Sequence, residues 1–303
     1  MSTTFGCQTF GHRPLKDRIL ANHNGNWTPE QAVVPFAEIQ GTQYHLHNIR
    51  DCHYLTSKDF VVNYRDRLIE LSQIQTVDFI VVPFKPNSPL AHTMVSFGLD
   101  DGSYLCVSVE SRRQIGDAYK AIASLTRGYD LIYVLGEERD LIGVRTDQFD
   151  VEVYIYPTSV SPETAREFFV DVIQRMNELR DDPEFYHLLA NNCTTNLKDH
   201  VNNISPNRIN KNSWAIWFTG FSARYAHQIG LIENRIPYED LKRICFINDL
   251  AKDNLDHHNF SQYIRSQRYQ IDREIARQQQ RESALEGSGN VLLDQQSSKR
   301  RLR

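Results

Sequence analysis

Asn192-Cys193-Thr194-Thr195 is the segment whose residue types are best suited to chemistry. Asparagine is a favoured helix N-cap, because its side chain accepts a backbone N–H of the first turn. Cys193 then falls in that first turn. Unpaired N–H groups and the helix dipole favour an anion there, so a thiolate is stabilised. The same helix start, around Asn192 and Thr194, is placed to hold an oxyanion. One position would thus supply a nucleophile and part of its transition-state stabiliser. A merely structural cysteine at a helix start would carry the same spacing, so the chemical reading depends on a partner base.

The partner expected is His92, through the ribbon that runs from Leu90 to Glu110. Asp100-Asp101-Gly102 suits a three-residue hairpin loop, a type I turn followed by a left-handed glycine. Leu99 then faces Ser103, and counting outward sets His92 opposite Glu110. One face carries His92, Met94, Ser96, Cys106, Ser108 and Glu110; the other carries Thr93, Val95, Phe97, Leu105, Val107 and Val109. The second face is apolar. The first is small or polar, and its small residues are expected to admit the Cys193 helix. A glutamate beside the histidine would fix the imidazole tautomer. A one-residue slip of register would move Glu110 to the far face, and the alternative is a half-exposed ribbon with a surface His–Glu pair.

Competing clusters carry less. His45-x-His47 sets two imidazoles on one strand face with Cys52 and His53 nearby, but spacing fixes no carboxylate and zinc needs three or four ligands; no metal or cofactor is expected. Glu137-Glu138-Arg139-Asp140 reads as a solvated turn or an ion-pair network, and His257-His258 as a surface pair. Trp214, Trp217 and Phe218 read as core, with lining of an acyl pocket as the alternative. Five cysteines without a C-x-x-C pair argue against a disulfide scaffold or a thiolate zinc site. Among them Cys106 and Cys245 are expected inside, Cys7 and Cys52 outside.

These residues need a scaffold. Tyr44–Ile49, Phe79–Val82, Tyr129–Leu135 and Val151–Tyr156 read as strands, and Ile115–Leu125 as a helix. Ser161-Pro162 opens another helix, with Ser as cap and Pro at its first position. Residues 1–35 read as an irregular arm, 36–265 as one α+β domain, and 266–303 as a frayed helix running into a polar, disordered tail. A net charge of −4 gives no basic surface for nucleic acid. No apolar run is long enough to span a bilayer. The first residues are not expected to form a signal peptide, so the chain is either cytoplasmic or has its leader elsewhere.

Ala91-His92-Thr93 through Ser96-Phe97-Gly98, Ser108-Val109-Glu110-Ser111-Arg112, Tyr133 through Glu138-Arg139-Asp140 to Arg145, Asn177 to Tyr186 and Asn191 through Asn196 come in the order of one bacterial domain. Asn48-Ile49-Arg50-Asp51 and Gly230-Leu231-Ile232 also fit. The chain resembles the Lnb N-terminal periplasmic domain family over about Phe36 to Arg265. The resemblance implies a permuted papain-like (NlpC-type) fold, an antiparallel sheet packed on helices with the His strand before the Cys helix. It also implies lipoprotein N-acyl transfer in the envelope, near a membrane, with a lipoprotein or phospholipid as acyl substrate. Cys193 would then carry the acyl group as a thioester, His92 would shuttle the proton and Glu110 would orient His92. A cysteine amidase or peptidase acting on cell-wall peptide would instead show an open groove, and a non-enzymatic binding domain would hold Cys193 and His92 apart.

Overall fold

The computed structural model describes residues 21–56, 59–117, 128–205, 208–210 and 212–281. The arm before residue 21, the helix expected over Ile115–Leu125 from residue 118 onward, and the tail beyond 281 lie outside the described residues.

Strands β1 (Phe36–Gln40), β2 (Gln43–Arg50), β5 (Tyr64–Glu70), β6 (Ile74–Pro83), β7 (Ala91–Leu99), β8 (Tyr104–Arg112), β9 (Asp130–Gly136) and β10 (Tyr154–Pro157) form one eight-stranded sheet. Its order is β1-β2-β9-β8-β7-β6-β10, with β5 also on β2. Pairing is antiparallel except where Arg50 of β2 meets Gly136 of β9. The short strands β3 (His53–Tyr54) and β4 (Phe60–Val61) pair apart from it.

Among the described residues, helices that follow or cover the sheet include α1 (Glu138–Gly143), α2 (Pro162–Asp181), α3 (Cys193–Ile204), α4 (Trp214–Trp217), α5 (Ser222–Gln228), α6 (Tyr238–Cys245), α7 (Asn248–Asp253) and α8 (Phe260–Tyr263). The class is α+β, a mainly antiparallel sheet packed with helices. Alternation along β7 and β8 divides the core. Val95, Phe97, Leu105, Val107 and Val109 pack against α2 and α3, which bring Phe168, Phe169, Val172, Cys193 and Leu197. Met94 and Cys106 face the other way, toward Leu141, Ile142, Ala251 and Phe260. A third cluster joins Tyr156 and Val81 to α5 and α6.

The hairpin register follows from its turn. Gly102 takes φ +80°, Leu99 N–H donates to Ser103 C=O, and Ser96 pairs with Cys106. Ser161 caps α2 by accepting Thr164 N–H, with Pro162 at the first helical position.

Contacts with the core continue past residue 265 and begin before residue 36. Residues 269–281 are helical, and Ile271 is buried in the third cluster, because isoleucine gives this polar stretch an apolar contact. At the other end, Trp27 and Gln31 are buried, so residues 27–31 pack on the domain.

Candidate active site

Helix α3 begins with a reciprocal cap. Asn192 Oδ1 accepts Thr195 N–H at 2.9 Å, and Thr195 Oγ1 accepts Asn192 N–H at 2.8 Å. The cap is itself pinned, since Asn191 donates to Glu184 at 2.9 Å and Asn196 to Asn191 at 2.9 Å. Cys193 is therefore the first helical residue, held at a fixed place where helix N–H groups lack carbonyl partners a turn earlier.

That place is a fork in the sheet. The β7–β8 ladder runs from Gly98–Tyr104 to Met94–Ser108 and ends there. Beyond it β7 continues on β6 as far as Ala91, and β8 on β9 as far as Arg112. At this open end the His92 ring and the backbone and side chain of Thr93 lie close enough to the Cys193 sulfur to stabilise its thiolate, and the sulfur lies 3.9 Å from Thr194 Oγ1. Thr93 Oγ1 also lies 3.1 Å from Thr194 Oγ1.

The approach differs from the one expected. Helix α3 packs on the apolar face of the ribbon, with Val95, Val107 and Val109, and not on the face of Ser96 and Cys106. The apolar face buries more of the helix's own Leu197, so it wins. His92 and Cys193 meet around the end of the ladder rather than across one face.

His92 Nε2 lies 2.7 Å from Ser108 Oγ. Ser108 in turn donates to Glu110 Oε1 at 2.8 Å. The expected His–Glu contact is thus bridged by a hydroxyl. Because Ser108 gives its proton to the carboxylate, it must accept from His92 Nε2–H. The ring nitrogen left for the sulfur is Nδ1. Glu110 is anchored by Arg145 Nη2 at 2.9 Å and by Gln31 Nε2 at 2.9 Å. Arg145 comes from a π-helical turn, Val144–Gln148, that continues α1.

The electrostatics follow from these partners. Burial pushes the Cys193 thiol up, but the His92 charge and the hydrogen bonds from His92 and Thr93 outweigh it and bring the pKa down to about 6. Burial also opposes ionisation of Glu110, yet Arg145 and Arg50, with His92 and Ser108, hold it far below the usual carboxylate range. The other described cysteines go the opposite way. Burial pushes Cys52 up to about 12, and raises Cys106 and Cys245 well above the ordinary thiol value. Cys52, expected outside, is buried, because its backbone N–H and side chain lie against Asp140. Cys7 lies outside the described residues.

Ser108, Thr93, Arg145 and Gln31 were not singled out from sequence. Ser108 carried a signal, sitting between His92 and Glu110 on one ribbon face. Gln31 carried none, for an arm without period does not announce where it docks. Trp214, Trp217 and Phe218 correct the core expectation, at 51%, 48% and 48% exposure. Helix α4 is a single turn, so Trp214 and Trp217 share its outer side while Ala215 and Ile216 face inward.

Inward of α4 lies an apolar pocket of about 130 Å³. Thr194, next to the candidate nucleophile, lines it with Phe79, Val95, Leu197, Ile216 and Leu231. No described helix is long and apolar enough to cross a membrane.

A scan against family models matches the Lnb N-terminal periplasmic domain over residues 61–224. No curated protein and no solved structure matches the chain. The matched span holds His92, Ser108, Glu110, Arg145 and Cys193 together and covers more than half of the 303 residues, so the chain belongs to the Lnb N-terminal periplasmic domain family, a domain of the bacterial envelope.

Proposed function

We propose that this domain carries out thiol-dependent acyl transfer or hydrolysis, with Cys193 as nucleophile and His92 as base and acid. The observation that carries the reading is the hydrogen-bonded line from His92 through Ser108 to Glu110, with His92 close enough to Cys193 to lower its thiol pKa. The order of the parts, His strand before Cys helix, agrees with a permuted papain-like enzyme.

The chemistry runs as follows. The thiolate attacks the carbonyl carbon of an acyl ester. The oxyanion that forms faces the start of α3, where the Cys193 and Thr194 N–H groups are placed to receive it. His92 gives the Nδ1 proton to the leaving alcohol as the ester C–O bond breaks, and a thioester remains on Cys193. An amine, or water, then attacks the thioester and loses a proton to His92 Nδ1. The C–S bond breaks and the thiolate returns. Ser108 keeps Nε2 protonated throughout, and Glu110 stabilises the imidazolium through it.

The pocket beside Thr194 supports a long apolar acyl group, from a lipoprotein or phospholipid, over a cell-wall peptide. A peptide substrate would want an open groove with polar partners, whereas this pocket is walled by Phe79, Val95, Leu197, Ile216 and Leu231. The test is to incubate the protein with short- and long-chain acyl esters, quench in acid and map the peptides. A hydroxylamine-labile acyl adduct on Cys193, forming faster with the long chain and absent in His92→Ala, is expected. No adduct on Cys193 with any ester would overturn the reading in favour of a binding domain.

A further inference from the structure

The outer side of β1 and β2, beyond the family match, holds a second cluster of reactive side chains. Register sets Glu38 opposite His45 and Phe36 opposite His47. The two-residue period of β2 turns Tyr44 and Leu46 into the core and leaves His45 and His47 together on the other face. Their ring centroids are 4.0 Å apart. One ligand atom from each of Glu38, His45 and His47 lies within 4.8 Å of the other two.

His47 is the fixed member. Its Nδ1 lies 2.9 Å from Asp66 Oδ2, and the other oxygen of Asp66 accepts Asn48 N–H at 3.0 Å. Asn48 takes a positive φ of 62° at the irregularity in the β2–β5 ladder, which is what turns its N–H toward that carboxylate. The Phe36 ring stacks on the imidazole with centroids 4.4 Å apart. Since Asp66 accepts, Nδ1 carries the proton and Nε2 presents a lone pair. That Nε2 is closed off from solvent and has no hydrogen-bond partner. Its nearest charge is Glu38 Oε1 at 3.9 Å, an acceptor that offers no proton. An acceptor withdrawn from water and left without a donor is costly, and a cation would satisfy both atoms at once.

A carboxylate that fixes one imidazole nitrogen while the other faces an acceptor is the usual support of a metal-binding histidine. Two imidazoles and one carboxylate suit zinc and its neighbours rather than magnesium or calcium, which prefer all-oxygen shells. Bringing the three ligand atoms to bond lengths of about 2.0–2.2 Å requires Glu38, an exposed side chain, to swing inward over the rings. We propose that Glu38, His45 and His47 bind a divalent transition-metal cation of the zinc class, with Asp66 as a positioning residue and a fourth position open to water. The cation would clip the edge strand β1 to β2, where an unpaired edge is otherwise prone to fray or to pair with another chain.

The test uses the full chain after chelator dialysis, carrying Cys193→Ala so that the thiol cannot compete. Zinc is titrated calorimetrically, and cobalt is used as a visible probe. One equivalent of zinc is expected, with at least a tenfold loss of affinity in His47→Gln and in Glu38→Gln, and a smaller loss in Asp66→Asn. The cobalt spectrum should lack a thiolate charge-transfer band. Zinc should raise the melting temperature of the parent and leave that of Glu38→Gln unchanged; because Glu38 is exposed, this variant keeps the fold. Absence of saturable binding would overturn the proposal. So would equal affinity in the parent, His47→Gln and Glu38→Gln, or a thiolate band, since the cation would then sit elsewhere.

Discussion

Cys193 and Cys106 are both withdrawn from water, at 5% and 0% exposure, and both belong to the packing around one ribbon. Cys106 sits mid-strand in β8 among Met94, Ile132, Val134 and Leu141. Burial drives its pKa well above the ordinary thiol value, Glu138 adds to the rise, and Arg145 and Arg265 do not reverse it. Cys193 meets the same penalty at the end of the ladder, yet His92 and Thr93 bring it to about 6. Burial alone therefore does not mark a reactive thiol. What separates the two is that His92 and Thr93 outweigh burial at Cys193, where the β7–β8 ladder stops, whereas Arg145 and Arg265 do not outweigh it at Cys106.

The carboxylates draw the same contrast. Glu138 is closed into a network with Arg265 Nη1 at 2.7 Å and with the Ser96 hydroxyl at 2.5 Å. Arg265 also holds Asp78 at 2.8 Å, and Arg268 holds it from the other side at 2.7 Å. Every charge there ends on another charge. The Glu110 network has a similar anchor in Arg145, but its far end is an imidazole facing a sulfur. One network is a staple between the sheet and the segment after α8; the other ends on a group that can react.

The largest effect should come from His92→Ala. The thiolate of Cys193 is present above the folded pKa of about 6 and lost as pH falls through it. Without the imidazole the inflection should move upward toward the ordinary value, roughly 8.5. Iodoacetamide alkylation at pH 7 should slow by about 30-fold, which is the change in thiolate fraction between those two pKa values. Acyl transfer should fall by about 10²–10⁴-fold, the usual contribution of a general base. In the unmodified protein Cys193 should label ahead of Cys52, Cys106 and Cys245. An alkylation profile with its inflection near 8.5 in both proteins would erase the difference between the two cysteines.

Glu138→Ala should act in the opposite sense. It leaves Arg265 buried with one partner gone, and breaking a buried pair in this way costs about 3–5 kcal/mol. The melting temperature should drop sharply, while Cys193 in the folded fraction should alkylate at the parent rate. A slowed Cys193 at a temperature where the variant is fully folded would mean that the two networks are coupled.

The two ribbon serines refine the comparison. Ser108 bridges His92 and Glu110, and Ser96 donates to Glu138. Hydrogen bonds to charged groups contribute about 1.5–3 kcal/mol. Ser108→Ala should therefore lower turnover roughly 10- to 100-fold, because Nε2 loses the acceptor that fixes its tautomer. Ser96→Ala should lower stability and leave turnover alone. Equal turnover in both variants would remove Ser108 from the line.

Much of this arrangement could be read in the residues. The Asp100-Asp101-Gly102 turn set the hairpin register, and that register put His92, Ser108 and Glu110 on one face. Asn192 marked the start of α3 and Ser161 that of α2. Both are local rules, a turn that needs one left-handed residue and a cap that needs one short acceptor. What escaped was long-range. Nothing in the β8 sequence says that its ladder to β7 ends at Ser108, since that depends on where β6 and β9 continue. Glu138 and Asp140 lie in a run of four charged residues, which spacing alone leaves open between a solvated turn and an ion-pair network. They are buried because Arg265 and Arg50 arrive from distant segments. The Trp214–Trp217 turn failed for a different reason, because a four-residue helix has no second turn to show which side is apolar.

The smallest expected effect separates position from stability. Asn192 and Ser161 are both N-caps, on α3 and α2. Replacing either by alanine removes one side-chain acceptor from the first turn and should cost about 1 kcal/mol of stability. The melting temperatures of Asn192→Ala and Ser161→Ala should therefore fall by similar amounts. Their effects on Cys193 should differ. Asn192 fixes the backbone of the residue before the nucleophile, and its loss lets the first turn of α3 fray, which lengthens the bonds from Thr93 and His92 to the sulfur. Alkylation at pH 7 should slow several-fold in Asn192→Ala and not at all in Ser161→Ala. The measurement is a rate at a temperature well below both transitions, so that unfolding does not contribute. If Asn192→Ala slowed alkylation no more than Ser161→Ala did, the position of Cys193 would rest on Thr93 and His92 alone, and the helix start would be only where the thiol happens to be attached.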